Sequence, residues 1–318
     1  MKPLHIAVTG AAGFIGKFLC AELAARGNDV RALVRSTSAQ VPGAGNTTVV
    51  DLLLARDCAL FAGCQVVIHL AGRAHVMKES ASDPLAQYRE SNVEVTRHLL
   101  TLAARAGVQR FVFVSSIGVN GQRTCGEPFR ETTTECPHDM YAVSKLEAER
   151  EIQSLAAGLN IEFVIVRPTL VFGPGAPGNF GMLMRLAAKG LPLPFASLAA
   201  RRSLVSVWNL VDFLALCARH PAAAGGTFLV ADEGHVVVPE IFEQLGIGMG
   251  KRQRMVRVPA SLLGTLAWLF GRRKTFEKFN AELVVDIGKA KAVLGWAPPM
   301  STHQALQRTG TDYMRKLS

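Results

Sequence analysis

Short, wholly apolar runs alternate along the chain with longer segments whose apolar residues recur on one helical side. Leu4-His5-Ile6-Ala7-Val8, ending in Thr9-Gly10, predicts a buried strand. Phe14 to Arg26 predicts a helix, with Phe14, Ile15, Phe18, Leu19 and Leu23 along one side and Gly27-Asn28 as the stop. Strands follow at Val30–Val34, Thr48–Val50 and Val66–Leu70, the last two separated by a short helix around Ala55–Phe61. A long helix is predicted over about Leu85–Ala106, a strand over Phe111–Val114, a helix over Tyr141–Ala157 and a strand over Ile161–Val166. Strands with no polar face must be covered on both sides, so the first half reads as a doubly wound parallel sheet of Rossmann type.

After Phe172 the rhythm breaks at the turn-rich Gly173-Pro174-Gly175-Ala176-Pro177-Gly178. Helices near Met182–Lys189, Asn209–His220, Pro239–Leu245 and Pro259–Phe270 and a strand near Thr227–Val230 are expected beyond it. We therefore divide the α/β chain into a dinucleotide-binding domain, 1–175, and a smaller C-terminal substrate-binding lobe, 176–318. Segments near 205–232 are expected to return to the sheet.

A length of 318 residues suffices for such a core. Apolar residues make up 49% and charged residues 19%, which excludes disorder as the main state. The longest apolar run near a terminus, Val258 to Phe270, is too short for a membrane span. No cationic, apolar leader precedes the first strand, and the six cysteines are scattered without a C-x-x-C pair. A cytoplasmic protein with free thiols and no metal site is the expectation. Lysine and arginine exceed acids by ten, which favours an anionic partner without saying which.

Thr9-Gly10-Ala11-Ala12-Gly13-Phe14-Ile15-Gly16 lies between the first strand and the first helix, where a dinucleotide pyrophosphate binds. The spacing is G-x-x-G-x-x-G, and a tight turn alone would also explain it. At the end of the second strand a carboxylate would bind the ribose of NAD. Arg35 stands there instead and favours NADP(H), although a solvated surface arginine is the plain alternative.

Only Tyr141, of three tyrosines, has a lysine four residues later, Lys145. On a helix the two share a face, and an ammonium there would lower the phenol pKa toward neutral acid–base work. Ser116, at the end of the strand Phe111–Val114, can hold the same substrate oxygen. Taken alone, Y-x-x-x-K is an ordinary surface pair; with the glycine loop and this serine it is a candidate site.

These motifs, with His69-Leu70-Ala71-Gly72, Asn92 and Ser115-Ser116, resemble the extended short-chain dehydrogenase/reductase superfamily. The likeness is to its NAD-dependent, nucleotide-sugar epimerase/dehydratase/reductase branch. It extends to the C-terminal Asp286-Ile287-Gly288-Lys289-Ala290 and Leu294-Gly295-Trp296. The resemblance implies Ser116, Tyr141 and Lys145 as catalytic. It implies Gly10, Gly13, Phe14, Ile15, Gly16, Arg35, Asp51, Leu52, Leu70, Ala71, Gly72, Asn92 and Ser115, with Tyr141 and Lys145, as cofactor-binding. Asp51-Leu52 would meet adenine, and Asn92 would support the site from the long helix. Ser116, Asn179 and Arg202 would meet substrate.

The 4,6-dehydratases of the branch carry an Asp-Glu pair directly after the active-site hydroxyl residue. Ile117-Gly118 cannot move protons, so that reaction is excluded. The 4-epimerases commonly read S-x-x-V-Y-G, where this chain has Asn120 for the tyrosine. Ala71 to Met77 with Ser115 to Gly121 most resembles 4-keto-reductases forming UDP-N-acetylquinovosamine in bacterial O-antigen pathways. The expected reaction is reduction of a UDP-4-keto-6-deoxy-N-acetylhexosamine at C4. The alternative is a UDP-glucose or UDP-N-acetylglucosamine 4-epimerase.

His75 reads equally as a substrate contact or a hydrogen-bonded loop residue, and His5 and His69 as buried structural residues. Lys251, Arg252, Arg254, Arg257 and Arg272-Arg273-Lys274 read as solvated faces. No basic and aromatic interleaving or helix-turn-helix pattern supports a nucleic-acid or membrane-surface binder that reuses the fold, so this reading ranks low, and the intact triad argues against a silent cofactor sensor. The oligomeric state stays open, with a homodimer as one option.

Overall fold

The computed structural model describes residues 2–73, 83–269, 271, 276–277 and 280–316. Seven parallel strands form one sheet in the order β3-β2-β1-β4-β5-β6-β9. They are β1 (His5–Thr9), β2 (Asp29–Val34), β3 (Asn46–Val49), β4 (Val66–His69), β5 (Arg110–Val114), β6 (Glu162–Pro168) and β9 (Gly226–Val230). β7 (Leu170–Phe172) and β8 (Leu204–Ser206) pair separately.

The apolar runs explain the layering. In β1, Ile6 and Val8 enter one buried cluster, while Ala7 points into another. In β5, Val112 and Val114 face the first cluster, and Phe111 and Phe113 the second. Period-two alternation with both phases apolar is what a sheet sandwiched between helices requires. The first face is covered by α1 (Phe14–Ala25) and α6 (Val207–Cys217). The second is covered by α3 (Val95–Arg105) and α4 (Met140–Leu159). A third cluster builds the lobe from α5 (Gly178–Lys189), α7 (Val238–Gly248), α8 (Ala260–Leu269) and the C-terminal helix Thr302–Arg315.

The structure departs from the sequence reading in several places. The expected helix Leu85–Ala106 is α2 (Pro84–Tyr88), a π-helical stretch Arg89–Glu94, and α3. Helices Gly288–Leu294 and Thr302–Arg315 were not anticipated as elements. His5 is not buried: it is the first residue of β1, its side chain is 55% exposed and it bonds Asp29 at 2.7 Å. His75 and Arg272-Arg273-Lys274 lie outside the described residues.

Candidate active site

β1 and β4 are neighbours in the sheet, but the chain leaves them in opposite directions, toward β2 and toward β5. The crevice at that switch point is where such sheets take ligands. The glycine loop sits on it. Gly10 has φ +68°, and a Cβ there would stand 2.8 Å from the Ala71 nitrogen, so the loop after β4 lies directly against it. A Cβ on Gly16 would stand 2.3 Å from the Gly10 carbonyl oxygen, which lets α1 press onto the turn. Gly13 is the N-cap of α1, and no side chain caps that end. Free amides at the start of a 12-residue helix, beside backbone that tolerates no side chain, fit a dinucleotide pyrophosphate.

A cavity of about 380 Å³ opens beside this loop. Of the residues singled out from the sequence, Phe14, Ile15, Leu70, Gly72, Ser115, Ser116, Tyr141, Lys145 and Arg202 line it. Ser115 is buried, and its hydroxyl meets no partner among the described residues, as a donor awaiting a ligand would. Ser116 caps the short 3-10 turn Ile117–Val119, accepting from the Gly118 amide at 3.1 Å. Gly118 lines the cavity and brings no acid to it, whereas Asp139 lines it from the start of α4.

Asp139 caps α4 by accepting from the Ala142 amide at 2.8 Å, which fixes Tyr141 in the first turn and Lys145 one turn on. Lys145 is 3% exposed; its ammonium donates to the Val114 carbonyl at 2.9 Å and lies 4.4 Å above the Phe113 ring. Burial draws its pKa down to about 8, opposed by the Glu149 carboxylate. The expected lowering of the Tyr141 pKa is not what the structure contains. Burial, then the Asp139 carboxylate and Tyr88, push the phenol upward.

Arg35, Asp51 and Leu52 are not among the residues that line this cavity. Arg35 is exposed immediately after β2. Asp51 is exposed in the turn after β3, accepting from the Leu53 amide at 3.0 Å, and Leu52 packs against the second cluster. Asn179 falls in the first turn of α5. Arg202 is half-buried and donates to the Ala281 carbonyl at 2.8 Å.

Asn92 is not among the residues that line this cavity. It accepts from the Arg73 amide at 2.7 Å, and donates to the Arg73 carbonyl at 3.1 Å and the Ser144 hydroxyl at 2.9 Å. It therefore ties the loop after β4 to α4. The polar chain continues through His69. The Thr96 hydroxyl donates to the Asn92 carbonyl at 2.5 Å, so it accepts from His69 Nε2 at 3.0 Å. His69 Nδ1 then accepts from the Thr9 hydroxyl at 2.6 Å, which in turn accepts from the Ala71 amide at 3.2 Å. Burial and the Lys145 charge pull the His69 pKa to about 3, so this ring stays neutral. Gln122, His138 and Thr169 also line the cavity. They arrive from loops with no periodic pattern, and only the nearness of His138 to the cap of α4 could have pointed to one of them.

A doubly wound sheet, a glycine turn at its switch point and Ser-Tyr-Lys around one cavity define a dinucleotide-dependent short-chain oxidoreductase fold. Residues 6–231 match the NAD dependent epimerase/dehydratase family, and the chain belongs to that family. It is 38% identical to a UDP-glucose 4-epimerase of Vibrio cholerae over 98% of this chain and 96% of that one. It is 27% identical to a dTDP-6-deoxy-L-talose 4-dehydrogenase (NAD(P)(+)) of Kitasatospora kifunensis, over 97% and 95%. MoeE5 in complex with UDP-glucose and NAD superposes with a TM-score of 0.79, at 25% identity over 99% and 100% of the two chains. The protein is thus an enzyme of the epimerase/dehydratase type. Among the described residues no helix is long and apolar enough to cross a membrane.

Proposed function

We propose that the protein reduces the C4 ketone of a UDP-4-keto-6-deoxy-N-acetylhexosamine. The observation that carries this reading is geometric: Ser116, Tyr141 and Lys145 line one cavity beside the glycine loop, and burial raises the Tyr141 phenol, which keeps it a proton donor at neutral pH. A donor suits the reductive direction, in which a new alkoxide at C4 must be neutralised. When bound, the nicotinamide supplies or accepts the hydride. Ser116 holds the C4 oxygen by a hydrogen bond, and Tyr141 gives it a proton. Lys145, within the same wall, supplies a positive field that stabilises the phenolate as Tyr141 gives up its proton. Ser115 faces the cofactor side. Ile117-Gly118 offers no acid for C5 proton removal, which speaks against dehydration. Arg202, from the lobe, suits the substrate diphosphate, and Asn179 the nucleotide. Exposed Arg35, with no acid at the end of β2, favours NADPH.

A second reading, UDP-hexose 4-epimerisation, is favoured by the Vibrio cholerae relative. The two differ in whether cofactor turns over. Incubation with the 4-keto sugar and NADPH, followed at the reduced nicotinamide absorbance, is expected to give one cofactor oxidised per sugar. Exchange of UDP-N-acetylglucosamine with its 4-epimer and no net oxidation would establish the epimerase instead. Tyr141→Phe is expected to lower turnover by about 10²–10⁴-fold while leaving dinucleotide affinity within about twofold. Retained turnover would remove Tyr141 as the proton donor.

A further inference from the structure

The +10 charge is not spread evenly. Residues 244–276 contain no Asp or Glu and seven Lys or Arg, so this one stretch of the lobe carries most of the excess. Within it, Arg252, Arg254 and Arg257 are exposed on an extended segment tied to Leu193, and none makes an ion pair with a described residue. α8 follows directly and has no charged residue. One side of it seats Leu263 in the lobe core. The opposite side carries Ser261, Leu262, Thr265, Trp268 and Leu269, which fall within one stripe at helical spacing. Leu262, Trp268 and Leu269 are 51%, 59% and 67% exposed, and Val256, among the arginines, is 47% exposed.

An uncharged stripe tipped by tryptophan and leucines, flanked by unpaired arginines, is the composition of a surface that lies in a bilayer interface. We propose that the outer face of α8 and Arg252, Arg254 and Arg257 form a docking surface for an anionic membrane. A second copy of the chain suits this face poorly. Four exposed apolar side chains fall short of the roughly 800 Å² per partner of a stable interface, and pairing would set like charges against each other. A bilayer bearing anionic headgroups neutralises the arginines and takes the apolar tips together, without any spanning helix. The proposal is independent of which sugar reaction the site performs.

Sedimentation of the full chain with vesicles tests it. Phosphatidylcholine vesicles and equal mixtures of phosphatidylcholine and phosphatidylglycerol are compared at 0.1 M salt. At about fivefold per arginine near the surface, partitioning onto the mixed vesicles is expected to exceed that onto neutral ones on the order of 100-fold. R252Q/R254Q/R257Q should lose that factor, and W268S/L269S at least about tenfold on both vesicle types. All five side chains are exposed, so both variants should keep the parent melting temperature. Equal binding to both vesicle types, or variants that bind like the parent, would overturn the proposal. So would velocity sedimentation in which W268S/L269S splits a dimer with vesicle binding unchanged. Duplex DNA binding that the glutamine variant loses and W268S/L269S retains would reassign the patch to nucleic acid.

Discussion

At the scale of single residues, burial governs the chemistry more than pairing does. Asp232 is 2% exposed; its Oδ1 accepts from the Ser206 amide at 3.0 Å and the Asn209 amide group at 2.7 Å, while Oδ2 meets no partner among the described residues. Burial raises its pKa from 3.8 to about 7. A carboxyl whose folded pKa is raised binds its proton more readily when folded, so its contribution to stability falls as pH rises between those two values. Asp232→Asn keeps the acceptor and carries no charge. Chemical denaturation should show it about equal to the parent near pH 4 and roughly 1–2 kcal/mol more stable at pH 8. Equal stability at both values would mean that the carboxyl is not strained. Of the site, Ser116, Tyr141 and Lys145 were legible, because their spacing and strand-end position mark them. The direction of the Tyr141 shift was not. It depends first on how deeply α4 sinks, which leaves no local trace in sequence.

Elements succeed or fail here by their turns. The β1–α1 turn needs Gly16 because backbone, and not a flexible side chain, stands 2.3 Å from where a Cβ would be. Gly16→Ala is expected to weaken dinucleotide binding by at least about tenfold, at a stability cost of about 1–3 kcal/mol, since the turn itself must move. Calorimetric titration together with a thermal melt would check both; unchanged affinity would show that the turn tolerates the shift. β1, β2, β4, β5 and β6 were readable because both faces of each are apolar. β7 and β8, three residues each, are too short to show any period. The π-helical break at Arg89–Glu94 was invisible for a related reason. It turns Asn92 toward the Arg73 backbone, a partner 19 residues away, which no helical repeat encodes. Thr302–Arg315 was missed because its apolar side is thin, with Ala305 and Leu306 supplying the buried contacts.

Across the whole molecule, the arrangement of the chain couples the two halves. It leaves the sheet after β6, builds α5 in the lobe, returns through β8 and α6 to lay down β9 beside β6, and then leaves again. β7 and β8 run side by side as the outgoing and returning paths. The last strand of the sheet therefore belongs, in chain order, to the far side of the lobe. A protein severed in the loop between Leu198 and Arg201 would yield two pieces, neither of which holds a finished sheet. Expressed together, they are expected to co-purify as one particle, each supplying the strand edge that the other lacks. Expressed singly, each should aggregate on its bare edge. Inheritance of one half without the other would thus confer nothing, and the two halves are bound to change together.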